Sequence, residues 1–214
     1  MNKLKYLAAV LIGIAGLGLQ QAKADTFTFT SDHCTGNCGP QPGGFGSVTL
    51  TQVGNDVNVV VTLFNGNQFV KTGSGGSMYF LFDNAGITLA DITNISPASV
   101  AGHPTSAFAG PIHADGTGSW MWGIGCALCA QGGAGAIPGP ITFTVTNTTL
   151  AAMEVGHAVT GFGTELFVAD ILAPNGNTGP VDVNTPPVPD GGATVMLLGT
   201  ALGALGMVRR YLMS

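Results

Sequence analysis

Two adjacent runs of alternating residues constrain the fold of this chain more than any other feature. Residues 47–53 read Ser-Val-Thr-Leu-Thr-Gln-Val, and residues 56–63 read Asp-Val-Asn-Val-Val-Val-Thr-Leu. Between them, Gly54-Asn55 forms a two-residue connection of the kind that joins antiparallel strands in a hairpin. The alternation gives the hairpin one apolar face, which requires a second apolar layer to cover it.

Further short runs with strand character lie between turns rich in glycine, proline and asparagine. They are residues 26–30, 78–82, 119–124, 141–146 and 166–172. Residues 96–118 look irregular, and residues 150–154 have the character of a short helix. Charged residues make up only 8% of the chain, so exposed helices would lack their usual residues. We predict an all-β fold, a single antiparallel, jelly-roll-like β-sandwich over residues 25–172, with a β-solenoid or an open barrel as alternatives.

The first 24 residues have the organisation of a secretory signal peptide. Its parts are a positive start at Lys3 and Lys5, an apolar segment over residues 6–19, and the small residues Ala22 and Ala24 before Asp25. The apolar segment is too short to cross a bilayer comfortably, which argues against a permanent N-terminal anchor. We therefore predict that signal peptidase removes residues 1–24 and that the protein is exported.

The C-terminal end combines a short motif, an apolar segment and a basic stop. The motif consists of Val188, Pro189, Asp190, Gly191 and Gly192. Residues 191–208 carry no charge and would extend roughly 27 Å as a helix, close to the ~30 Å of a hydrocarbon core. Arg209 and Arg210 follow and favour a cytoplasmic C-terminus. We predict a transmembrane helix over 191–208, for which a buried core helix is the alternative. A Pro/Gly/Asn linker over 173–187 leads to the motif.

This arrangement of both ends resembles the PEP-CTERM family of bacterial sorting signals. The motif at residues 188–192 is similar to the VPDSG-type variant, with Gly191 in place of its serine. The resemblance implies recognition by an exosortase, a membrane-embedded cysteine protease-transpeptidase. It also implies a bacterium with an outer membrane and exopolysaccharide, in which the protein is transiently anchored and then reaches the cell surface or the extracellular space.

The exported domain is strongly acidic. Between Asp25 and Pro189, Lys71 is the single basic side chain other than histidine. Ten acids share this segment: Asp25, Asp32, Asp56, Asp83, Asp91, Asp115, Glu154, Glu165, Asp170 and Asp182. Such a surface excludes binding of nucleic acid or anionic lipid through phosphate contacts and favours cations, neutral polysaccharide or proteins as partners. We predict no cofactor, and calcium is kept as an alternative.

Four cysteines occur in two closely spaced pairs, Cys34 with Cys38 and Cys126 with Cys129. Export favours disulfides, and glycines in or beside each loop allow small local rings. We predict the local pairing, 34–38 and 126–129. A cross-link between the two loops, a four-cysteine zinc site and a C-x-x-C redox site are the alternatives.

No sequence motif indicates catalysis. The four histidines, His33, His103, His113 and His157, are scattered, and we predict ordinary hydrogen bonding for them and no metal site. Trp120 and Trp122 lie two residues apart on one predicted strand, so both would point to the same face and could stack on a glycan, although a core role is commoner for such a pair. Glu154 and Glu165 are the glutamates available to a glycan hydrolase.

These observations favour an exported surface or matrix protein, non-enzymatic and associated with exopolysaccharide or biofilm. Two alternatives belong to other functional classes. The first is a carbohydrate-binding module that uses Trp120 and Trp122. The second is a secreted hydrolase that uses an acid pair.

Overall fold

The computed structural model describes residues 23–73, 77–159 and 163–183, and the backbone of residues 188–189. The first strands are β1 (Ala24–Phe29), β2 (Ser31–Asp32), β3 (Gly46–Val53), β4 (Asp56–Leu63), β5 (Gln68–Phe69), β6 (Phe80–Phe82), β7 (Ile92–Ser96), β8 (Ser99–Val100) and β9 (His103–Pro104). The later strands are β10 (Ser106–Ala114), β11 (Gly118–Gly125), β12 (Ile141–Val145), β13 (His157–Val159), β14 (Gly163–Glu165), β15 (Phe167–Leu172), β16 (Thr178–Val183) and β17 (Val188–Pro189). The helical elements are α1 (Leu150–Met153) and two 3-10 turns, Leu89–Asp91 and Gly132–Gly135.

The predicted hairpin forms the middle of a six-stranded antiparallel sheet. β3 and β4 pair over their full length, from Gly46 opposite Leu63 to Val53 opposite Asp56. Gly54 makes the turn with a φ of 62°, a conformation that glycine adopts without a steric penalty. The sheet has the order β17-β1-β3-β4-β12-β7, so the hairpin is flanked on both sides.

A second antiparallel sheet has the order β10-β11-β6-β15-β16-β2, and β5 pairs with β15 beside this path. β15 is its central strand and is buried on both faces, from Phe167 to Ile171. β13 with β14, and β8 with β9, form two small ribbons. The described residues therefore confirm the prediction of an all-β fold built from antiparallel sheets.

The two large sheets share one apolar core. Phe27 of the first sheet meets Phe167 of the second, with ring centroids 5.2 Å apart. Phe143 of the first sheet lies 5.4 Å from Phe82 and 5.9 Å from Phe80 of the second. These offset and tilted rings exclude water from the space between the sheets, and their burial stabilises the fold.

The two longest strands that the sequence did not predict are β10 and β16. Residues 178–183, within the predicted linker 173–187, form β16, which pairs along its length with β15. β10 lies within the region 96–118 that looked irregular, and its pairing with β11 shifts register between Ala109 and Ile112. The helix expected over residues 150–154 is present as α1, where the hydroxyl of Thr149 accepts a hydrogen bond from the Ala152 N–H.

Most of the predicted targeting segments fall outside the described residues. This applies to residues 1–22 of the predicted signal peptide, to residues 190–192 of the motif, to the predicted span 191–208 and to the pair Arg209–Arg210. Within the described part of the chain, no helix is long and apolar enough to cross a membrane.

Candidate functional site

Strand pairing places the predicted signal-cleavage site beside the first residues of the motif at 188–192. Pro189 pairs with Asp25, and Val188 pairs with Thr26, as β17 adds to the edge of β1. Proline is tolerated in an edge strand because its missing N–H is not needed on the outer side. The predicted cleavage site, between Ala24 and Asp25, lies at the start of β1.

The cysteines form the two local disulfides that the sequence predicts. Cys34 bonds Cys38, and Cys126 bonds Cys129, with Cα–Cα distances of 5.6 Å and 5.4 Å. No cysteine is free, so neither the four-cysteine zinc site nor a cross-link between the loops is formed. The Asp32 carboxylate accepts hydrogen bonds from the backbone N–H groups of Cys34 and Cys38, and this fixes the first ring.

The second ring is held by Lys71. Its side chain is buried, and its Nζ donates hydrogen bonds to the carbonyl oxygens of Cys126, at 3.2 Å, and Ala127, at 2.7 Å. A buried ammonium is tolerated only with such partners. The single lysine of the exported domain is therefore a structural group.

The two tryptophans have different environments. Trp120 is only 1% exposed and packs in a small outer cluster with Leu81 and Ile112, whereas Trp122 packs against the main core. The Trp120 indole N–H donates to the Thr117 hydroxyl at 3.1 Å. Both rings border a groove of about 410 Å³. The Trp120 ring is too deeply buried to stack on a sugar. The structure places Trp120 in the core role that is the commoner one for such a pair, and the alternative of a glycan contact would rest on Trp122.

Two histidines, His33 and His157, are paired with buried carboxylates. The Nδ1 atom of His157 is 2.6 Å from Oδ2 of Asp83, and its Nε2 atom is 2.9 Å from the carbonyl oxygen of Thr117. The same ring meets Trp120 edge-on, with centroids 4.4 Å apart. His157 therefore supports the small outer cluster and is a structural residue.

The other histidine, His33, belongs to the most unusual cluster in the described residues. Its Nε2 atom makes a short contact with Oδ2 of Asp182, and the Glu165 carboxyl lies beside both. Ligand-type atoms of all three side chains lie within 4.8 Å of one another. Burial, together with the neighbouring Asp182 carboxylate, raises the pKa of Glu165 to about 8.

Sequence reasoning did not bring these three residues together. His33 and Asp182 are 149 positions apart and meet because β2 pairs with β16. The available signal was Asp182 itself, an acid between two valines in a segment of strand propensity. Glu154 follows α1 and is half-buried, whereas Glu165 ends β14 and is fully buried. The two glutamates therefore do not line a common exposed cleft.

The remaining histidines show no such arrangement. His113 is exposed and its Nε2 lies 3.7 Å from Asp115, and His103 lies in the short ribbon strand β9. A second group, Asp32 with Cys34 and Cys38, has its sulfurs in a disulfide. It therefore offers no thiolate to a metal.

Asp170 is a further buried acid, and its raised pKa makes the free energy of unfolding depend on pH. Its Oδ2 accepts hydrogen bonds from the backbone N–H and the hydroxyl of Thr72, but burial dominates and raises its pKa to about 7 from 3.8. The Asp115 carboxylate acts in the same direction, and Lys71 is engaged with carbonyl groups. The folded state therefore retains a proton that the unfolded state releases between these two pH values.

We expect the free energy of unfolding to decrease as the pH rises from about 4 to about 7, with Asp170 contributing at most about 1.4 kcal/mol per pH unit. Asp170→Asn should flatten that part of the slope, because the amide does not ionise. Urea unfolding at several pH values measures the slope. Asp56→Asn is the matched control, and an unchanged slope in Asp170→Asn would contradict the assignment.

Comparisons with known proteins locate one recognisable feature. A family model described as the VPDSG-CTERM motif matches residues 187–212. No curated protein and no solved structure matches the chain. The match covers the motif, the predicted apolar segment and both arginines of the predicted basic stop. The chain therefore carries a VPDSG-CTERM motif at residues 187–212, consistent with a C-terminal sorting signal of the PEP-CTERM type.

Proposed function

We propose that this chain is an exported, non-enzymatic surface or matrix protein, delivered through its C-terminal signal to an extracellular polysaccharide layer. The observation that carries the proposal is the VPDSG-CTERM match at residues 187–212. A sorting signal of this type suggests a secreted protein that an exosortase-like enzyme processes. The membrane is then a transient partner, reached through the predicted helix 191–208.

The exported domain has properties that suit an extracellular role. Its two disulfides are compatible with an oxidising compartment. Its two antiparallel sheets share a core, and we interpret them as the layers of a β-sandwich. Five of its ten acids are not buried, whereas its single lysine is, so the surface stays net negative. Such a surface repels anionic lipid and nucleic acid, which leaves cations, neutral polysaccharide and proteins as partners.

The proposal is tested by the intact mass of the protein isolated from the cell envelope and from the culture medium. We expect a species that begins at Asp25 and ends near residue 190. Its mass should rise by about 4 Da on reduction, because each of two opened disulfides gains two hydrogens. A membrane-bound species that retains Arg209 and Arg210, with no shorter form, would contradict removal of the tail.

A further inference from the structure

We propose that His33, Glu165 and Asp182 form a binding site for one divalent transition-metal ion, with zinc as the reference ion. This site is independent of the sorting signal. It would hold the exported domain together where β2, β14 and β16 meet.

The backbone already holds the three donors in place. β2 pairs with β16, where Ser31 lies opposite Asp182, and the His33 N–H donates to the Pro180 carbonyl at 3.0 Å. Just after β14, the Leu166 N–H donates to the Val183 carbonyl at 2.9 Å, which brings Glu165 beside Asp182. A metal ion would therefore bind to a preformed set of side chains, with little ordering left to do.

Burial makes two neighbouring carboxylates costly at this position, even with Oδ2 of Asp182 in contact with His33. Glu165 and Asp182 are both 0% exposed, and the His33 side chain is 7% exposed. Both carboxyl oxygens of Glu165, and Oδ1 of Asp182, lie buried without a hydrogen-bond donor in the described part of the chain. Leaving such atoms unsatisfied costs several kcal/mol for charged groups.

Between Asp25 and Pro189, the sequence leaves no lysine or arginine to pair with these two carboxylates. Lys71 is the single such residue between Asp25 and Pro189, and its Nζ is bonded to the carbonyls of Cys126 and Ala127. One divalent cation would neutralise the charge of both carboxylates and provide a partner for the unsatisfied oxygens. A proton shared between Glu165 and Asp182 is the competing account, and it leaves fewer oxygens satisfied.

The donor set selects the class of metal. One imidazole nitrogen and two carboxylates suit zinc and neighbouring transition metals, whereas calcium and magnesium prefer all-oxygen sites. The Ser31 hydroxyl lies 3.2 Å from Nε2 of His33, close enough to complete or support the site. Because all three donors are buried, the ion would be structural: it would join the loop after β2 to β14 and β16.

The experiment uses the full chain, stripped with a chelator and titrated with zinc chloride, with calcium chloride in parallel. We expect one zinc per chain by elemental analysis. We also expect a rise in Tm of roughly 5–10 °C at a zinc concentration 100 times the Kd, and a much smaller effect of calcium. Absence of bound zinc, or an equal response to calcium, would overturn the proposal.

Two substitutions distinguish a metal site from a shared proton. Glu165→Gln keeps the size of the side chain and can donate to Asp182, so it should fold. Because a neutral amide replaces an anionic ligand, it should bind zinc at least about 100-fold more weakly, the upper end of the loss seen for outer-shell residues. Glu154→Gln is the matched control and should bind zinc as the wild type does. The metal site is refuted if Glu165→Gln keeps full zinc affinity. It is also refuted if the wild type binds no zinc and Glu165→Gln merely raises the Tm near pH 8, as expected for a shared proton.

Discussion

Replacing Trp120 with alanine is expected to lower the free energy of unfolding by about 3–5 kcal/mol. The change removes a ring that is 1% exposed and packs in the small cluster with Leu81 and Ile112. It also removes the donor to the Thr117 hydroxyl and the edge contact with His157. For a domain of this size, the Tm should fall by roughly 6–20 °C.

The neighbouring Met121 provides the control, because its side chain is 46% exposed. Met121→Ala should change the free energy of unfolding by no more than about 0.5 kcal/mol. If Trp120→Ala does not fold, Trp120→Phe retains most of the packing and should show a smaller loss in thermal unfolding. Equal stabilities of Trp120→Ala and Met121→Ala would mean that the ring is not part of a packed cluster.

Replacing Pro189 and Asp190 together with alanine is expected to prevent removal of the tail. The family match begins at residue 187, and these two residues lie in the part of the motif that precedes the predicted span. The altered protein should stay in the membrane fraction with Arg209 and Arg210 attached, whereas the wild type should lose them. The amount of shortened protein, measured by intact mass, should fall at least about tenfold.

Pro186→Ala is the matched control, since it alters a neighbouring proline outside the matched residues. The pairing of β17 with β1 does not stand in the way of processing. In the described residues, Val188 and Pro189 pair with Thr26 and Asp25 of β1, and a contact this short should open at small cost. Normal processing of the Pro189/Asp190 variant would show that another part of the chain is recognised.

The sequence predicted the fold best where the alternation is regular. β3, β4 and β12 were expected close to their observed positions, because their apolar residues recur at every second position and face one core. β16 was missed because Gly179 and Pro180 resemble a linker. Pro180 is accommodated opposite Asp170, where the strand pairing supplies the order that local propensity does not.

β10 was missed for a related reason. Pro111 interrupts the pattern at a shift in register, and Gly110 lies so close to the Trp120 carbonyl that any side chain would collide. Whether such a segment forms a strand depends on its packing against distant residues, and a short window of sequence does not contain that information. The short rings at Cys34 and Cys126 were predictable, because each closes within a few residues.

The residues of the candidate metal site were visible one by one but not as a group. His33 was predicted to make ordinary hydrogen bonds, and Glu165 and Asp182 were counted among the ten acids of the domain. Their proximity depends on the pairing of strands distant in sequence, namely β2 with β16, and on the position of β14. Only Asp182, placed between two apolar residues, carried a local sign of its burial.

The burial of Lys71 leaves the exported domain with unusual surface chemistry. Between Asp25 and Pro189, trypsin would find one cleavage position, at a side chain that is 6% exposed and bonded to two carbonyls. Reagents that modify amines should therefore react slowly with this lysine in the folded domain. Digestion with a protease of basic specificity should therefore leave the folded domain intact, whereas the unfolded chain should be cut after Lys71.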